Sequence, residues 1–182
     1  IAVSSLAGAL VSLTLNLSPN PFAAYEMMFW LLGSLADRSL QHVMLAAPFM
    51  LAGWLLLALT ARSLDALTLG EDAAAALGVR LGRLRLLAVL GTAVAVGAAT
   101  AVAGAIGFVG LVVPHLLRPL VGGMPSRLLP ASALGGGALL LAADLAVRLI
   151  APDRDLKLGV VTALIGAPFF VWLVLKTRRD MA

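Results

Sequence analysis

From Leu86 to Leu120 the chain runs 35 residues in which only His115 and Arg118, near the end, carry a titratable side chain. A helix crossing a hydrocarbon core of about 30 Å takes about 20 residues, so the run is long for one crossing and short for two. The flanks decide. Arg80, Arg83 and Arg85 precede it, and Lys176, Arg178 and Arg179 follow the last apolar segment. Such positive flanks mark the cytoplasmic side of a membrane. Two clear spans, 128–150 and 158–175, lie between those flanks, so an even number of crossings requires residues 86–120 to supply two more. The run is therefore expected to fold into two spans of about 17 residues each, broken among Gly104, Gly107 and Gly110, with Pro114 in the second. Lipid satisfies no backbone polar group, so the break needs other helices around it, and the chain is expected to be a packed bundle.

Composition agrees. Hydrophobic residues make up 62% of the chain and charged residues 12%, with mean hydropathy +1.05, which excludes an ordinary soluble globule. The formal charge of +4 does not point to nucleic acid, because the basic residues sit at span boundaries, where membrane lipid and topology account for them. The absence of cysteine excludes disulfides, thiolate metal sites and cysteine nucleophiles.

Residues 1–17 are rich in Ser, Ala, Gly and Thr, and are expected to pack as a span inside the bundle. The chain opens on a helix already under way, without the basic start of a signal peptide, so an N-terminal part is expected to be missing. Ser18-Pro19-Asn20-Pro21 breaks the first helix, residues 22–42 read as an amphipathic interfacial segment, and Val43–Thr60 as the next span. The polar stretch 62–82 then leaves the bilayer. Within it, Glu71 and Asp72 open a short alanine-rich helix that Gly78 closes, as the helix dipole and glycine capping favour. Parity places this loop and the C-terminus in the cytoplasm. Nine Lys and Arg on that side against four on the other support the orientation.

Asp144 and Arg148 stand four apart near the outer end of a span, where they can pair. The pair either lowers the cost of insertion or presents Arg148 to a partner or passing substrate, and the spacing leaves both open. His115, beside Pro114 at a helix end, reads as structural rather than as a proton relay. Gly135-Gly136-Gly137 lacks the preceding strand and following Lys-Ser/Thr pair of a phosphate loop, and reads as close helix packing. There is no HExxH and no paired-carboxylate or acyl-transfer set, so no catalytic residue is expected and the chain is not expected to be an enzyme.

Three stretches, GAIGFVGLVVPHLLRPLVG at 104–122, LLPASALGGGALLLAADLAVR at 128–148 and GVVTALIGAPFFVWLVLK at 159–176, together resemble the FecCD-type permeases of bacterial ABC importers for iron-siderophores, haem and cobalamin. WLLGSL at 30–35 and LGEDAAAALGV at 69–79 extend the likeness over nearly the whole chain. The resemblance implies an all-α polytopic permease domain over 1–182, with six spans of about ten present, in the bacterial inner membrane. It implies a second permease protomer, cytoplasmic ATPase subunits that hold the ATP and Mg²⁺, and a periplasmic or lipid-anchored substrate-binding protein; no cofactor is expected in this chain.

Residues 62–82 then correspond to the coupling-helix loop, and Asp72-Ala73-Ala74-xxx-Gly78, with Glu71 before it, is similar to the EAA-xxx-Gly pattern through which importer permeases engage the ATPase. Arg148 matches an arginine that docks acidic residues of the binding protein. Asp155 keeps the acid of the family's Glu-Leu-Pro-x-Gly stretch, while Lys157 replaces its proline. The competing class, an ion-gradient carrier or a membrane scaffold, is less consistent with the residues. A carrier places carboxylates at the bilayer midplane, whereas Asp144 lies near a span end beside Arg148.

Overall fold

The computed structural model describes residues 2–150 and 156–180, and every regular element among them is an α-helix. In chain order these are α1 (Ala2–Leu17), α2 (Pro21–Leu31), α3 (Leu40–Leu67), α4 (Glu71–Ala76), α5 (Leu81–Ala103), α6 (Val109–Leu117), α7 (Pro125–Ile150) and α8 (Leu158–Asp180). Helices α3, α5 and α7 are long and apolar enough to cross a membrane; α1 and the 158–173 part of α8 are shorter apolar helices. The outer surface is that of a membrane protein. Phe49, Leu55, Val89, Leu141 and Leu164 are all more than half exposed, the reverse of what water permits over so large an area.

The central pair is α3 against α5. A Cβ on Gly53 would meet the Gly91 carbonyl at 2.6 Å and the Ala95 nitrogen at 2.7 Å, so the two backbones touch where only small residues allow it. Ala95 and Ala46 are buried here, and Thr60 satisfies its buried hydroxyl by donating to the Leu57 carbonyl at 2.6 Å.

Long-range hydrogen bonds fix the two ends of the bundle. At one end the Ser126 N–H at the start of α7 donates to Asp65 Oδ1 at the end of α3 (2.8 Å), and Arg85 of α5 pairs with Glu71 of α4 (2.8 Å). At the other end the Ser34 N–H donates to the Ala103 carbonyl (2.7 Å) and the Gly159 N–H to the Gly33 carbonyl (3.1 Å). Helix α5 therefore runs the length of the bundle, and the chain between Ala103 and Pro125 returns beside α7 and α8.

That return corrects the expected pair of 17-residue helices. Helix α5 takes 23 residues and α6 only nine, about 14 Å, too short to span alone. Residues 104–107 between them are not helical, and Phe108 caps α6 in the left-handed region at φ 67°. A Cβ on Gly159 would fall on the Leu32 carbonyl and lie 2.8 Å from the Ala105 carbonyl, and one on Gly166 would fall on the Phe108 side chain. Those glycines are seven positions apart in α8, so Ala105 to Phe108 advances about 10 Å along α8 in three steps, the reach of extended chain. The run does go out and back, but the return begins with a non-helical segment, residues 104–107, before α6.

Two further expectations are corrected. Helix α1 buries no residue; its small side chains permit close approach without supplying a partner, and it lies at the edge of the bundle beside α2 and α5. Segment 22–42 is not one amphipathic helix. Its helical part, α2, is apolar around most of its circumference, with Tyr25 and Glu26 as its polar residues, and residues 32–39 form a loop whose Gly33 and Ser34 are buried against the α5–α6 break.

Candidate functional site

Helix α4 is the structural element of the polar loop. Ala74 is fully buried, so the six-residue helix is seated on the bundle by its alanine face, and the Glu71–Arg85 ion pair ties its first residue to α5. Ala73 is half-buried, whereas Asp72 is exposed and forms no ion pair among the described residues. The helix ends in a Schellman motif: the Val79 N–H donates to the Ala74 carbonyl (3.0 Å) and the Gly78 N–H to the Ala75 carbonyl (2.9 Å). Gly78 sits at φ +85° with open space around its Cα, so the requirement for glycine here is one of backbone conformation, not of room. The result is a short, doubly anchored helix that presents Asp72 to solvent at one end of the bundle.

At the opposite end the α5–α6 break is the second feature. Gly104 is buried at φ +75°, and its missing Cβ makes room for the Trp30 carbonyl and for Gly33 Cα at 2.9 Å. Gly107 lies in the extended segment and Gly110 inside α6, both without close neighbours; Pro114 lies within α6. The structure thus brings Gly104 to the helix-packing site and leaves the other two glycines off it. Clefts of about 540 Å³ and 400 Å³ flank Ala105, one against α8 and one against α1, both lined by apolar side chains. Arg38 closes this end by stacking over the Trp30 ring at 4.8 Å. His115 meets the Phe169 ring edge-on at 6.3 Å between centroids, which gives it a packing role between α6 and α8.

Arg148 Nε donates to Asp144 Oδ2 at 2.8 Å along α7, with the arginine side chain 59% exposed and the aspartate 21%. One edge of the guanidinium is used, so pairing and presentation to a partner are compatible. Asp155 lies outside the described residues. Asp65, Gly33, Phe108, Gly159 and Gly166 were not singled out by the sequence. Each acts through a residue distant in the chain, and a local pattern carries no signal for that.

The profile of the FecCD transport family matches residues 1–176. The hemin transport system permease protein HmuU of Yersinia pestis is 39% identical over 180 residues, which is 99% of this chain and 54% of HmuU. The vitamin B12 import system permease protein BtuC of Vibrio cholerae is 42% identical over 179 residues (98% of this chain, 53% of BtuC). The Fe(3+) dicitrate transport system permease protein FecD of Escherichia coli is 44% identical over 151 residues (83% and 48%). The chain spans about half the length of the curated relatives it matches. A solved structure described as a metal-chelate type ABC transporter in an inward-facing conformation superposes with TM-score 0.82 at 38% identity, covering 96% of this chain and 56% of that one.

Proposed function

Because the chain belongs to the FecCD transport family, we propose that it is part of the permease subunit of an ABC importer, providing a path for a metal chelate through the bacterial inner membrane. The three named relatives are permease proteins for hemin, vitamin B12 and Fe(3+) dicitrate, and a bulky metal chelate is the substrate class common to them. In this reading ATP and Mg²⁺ are held by cytoplasmic ATPase subunits, a second permease protomer completes the path, and a substrate-binding protein delivers the chelate on the other side.

The observation that carries the reading is α4. A short helix with buried Ala74 seated against α3, an exposed ion pair from Glu71 to Arg85 and a Schellman stop at its end is suited to pass a push on to the bundle as rigid-body movement. In this reading the ATPase contact lies at Asp72 and the α4 end of the bundle, and the C-terminus on the same, cytoplasmic, side. Arg148, near the end of α7, is the docking residue for an acidic side chain of the binding protein, and Asp155 its companion. The α5–α6 break at Gly104 belongs to the path between the protomers.

The test is a cysteine at Asp72 in the full-length permease co-expressed with its ATPase. The reading expects a cross-link to the ATPase whose yield changes between nucleotide-free and ATP-bound states. Absence of any cross-link in an assembly that still hydrolyses ATP and imports substrate would move the ATPase contact elsewhere.

A further inference from the structure

A cavity of about 470 Å³ lies between the last turns of α3, the α4–α5 turn and the first turns of α5. Its lining is layered. Ser63 on α3, Arg80 at the N-cap of α5 and Arg83 on α5 form the rim; buried Leu84, with Leu87, forms the floor beside the buried Thr60, and Leu59, one turn from Ser63 toward the middle of the bundle, is exposed at its edge. The two helices are antiparallel, so a single turn of about 6 Å separates a polar, cationic level from an apolar one on both walls. No acidic residue lines the cavity. Of the two carboxylates on α4, Glu71 pairs with Arg85 and Asp72 is exposed, and among the described residues neither Arg80 nor Arg83 forms an ion pair.

We infer that this cavity binds the phosphate of an anionic phospholipid, with Arg80, Arg83 and Ser63 on the headgroup and the leucine floor against the first methylenes of its chains. The arginines stand where α5 passes from the polar loop into a 23-residue apolar helix, the depth at which lipid phosphates lie. An acidic side chain from a soluble partner would meet the same cations, but it has no counterpart for the leucine floor beneath them. Gly78 and Val79 form part of the wall, so a bound headgroup braces the capped end of α4 against α5. The site is independent of the transported substrate and borders α4, the helix proposed to meet the ATPase.

Native mass spectrometry of the full-length permease in detergent, titrated with phosphatidylglycerol or phosphatidylcholine, tests this. Each arginine near an anionic lipid is worth about fivefold in affinity, so the pair gives about a thirtyfold preference for phosphatidylglycerol. Arg80→Gln with Arg83→Gln should abolish the preference and Arg80→Lys with Arg83→Lys should retain most of it. Arg118→Gln with Arg127→Gln, which removes equal charge outside the cavity, should leave it unchanged. Equal binding of the two lipids, or a preference that survives the glutamine pair, overturns the inference. So does displacement of the lipid by millimolar inorganic phosphate, which would assign the site to free anion. Loss of ATPase association in the glutamine pair with lipid preference intact would assign it to protein, and likewise overturn it.

Discussion

The carboxylate of Asp65, in the last turn of α3, accepts the backbone N–H of Ser126, the second residue of α7, at 2.8 Å across 61 residues of sequence. The first N–H groups of a helix have no partner within it, and an aspartate oxygen is among the best acceptors for one. Here that acceptor comes from another helix rather than from the residue before the first turn. The bond closes the turn after α6 onto the end of the bundle that carries α4.

Removing the acceptor should be felt at both helices. Asp65→Ala is expected to lower the thermal midpoint of the purified full-length protein and to speed hydrogen exchange at the amides of residues 126–128. Asp65→Asn, which keeps an oxygen in place, should do less on both measures. Identical melting and exchange in wild type and Asp65→Ala would show that α7 is held without this bond.

Gly78 tests the rigidity of α4. At φ +85° any side chain strains the backbone, by about 1–2 kcal/mol for alanine, with Asn tolerated best and a β-branched residue worst. Gly78→Val is expected to insert and assemble normally but to hydrolyse ATP without matching uptake, whereas Gly78→Asn stays coupled. The ratio of substrate imported to ATP hydrolysed in proteoliposomes measures this. An unchanged ratio in Gly78→Val would remove α4 from the coupling path.

Gly166 and Phe108 form a second close pair, since a Cβ on Gly166 would fall on the Phe108 side chain. Gly166→Ala should destabilise by about 1–3 kcal/mol through overpacking. Phe108→Gly relieves the left-handed φ of 67° but loses the ring. The two changes together should cost less than their sum, a coupling that a double-mutant cycle reads from denaturation midpoints. Strict additivity would mean that the extended segment does not press on α8.

The features legible in the sequence are those set within a turn or two. Glu71, Asp72 and Gly78 announce α4 because dipole and cap preferences act over a few residues, and Asp144 with Arg148 announces an ion pair because four residues make one helical turn. Gly104 marks the end of α5 for the same reason. The nine-residue length of α6 is not legible: an apolar run looks the same whether its return is helical throughout or opens with a short non-helical segment, and only the carbonyls of Ala105 and Leu32 packed at Gly159 show which. The bond from Asp65 to Ser126 is invisible to any local pattern, and the small residues of α1 say that a helix can approach it, not that one does.

Arg148 separates docking from neutralisation. In the docking account Arg148→Glu weakens binding-protein affinity for the permease in nanodiscs by about tenfold or more, and a reversed charge on the binding protein restores part of it. The double change Asp144→Asn with Arg148→Gln removes both charges of the pair and should be stable yet still bind poorly. Wild-type affinity in that double variant would leave Arg148 with no role beyond its neighbour.

The most direct measurement is uptake by the full-length permease reconstituted in proteoliposomes with its ATPase and binding protein, using labelled haem, cobalamin and ferric citrate or a ferric siderophore. The account predicts that at least one chelate accumulates only with ATP inside reach of the ATPase, and that accumulation persists when ion gradients are collapsed. Uptake that follows an ion gradient without ATP would contradict it, as would an assembled, ATP-hydrolysing complex that imports none of these chelates.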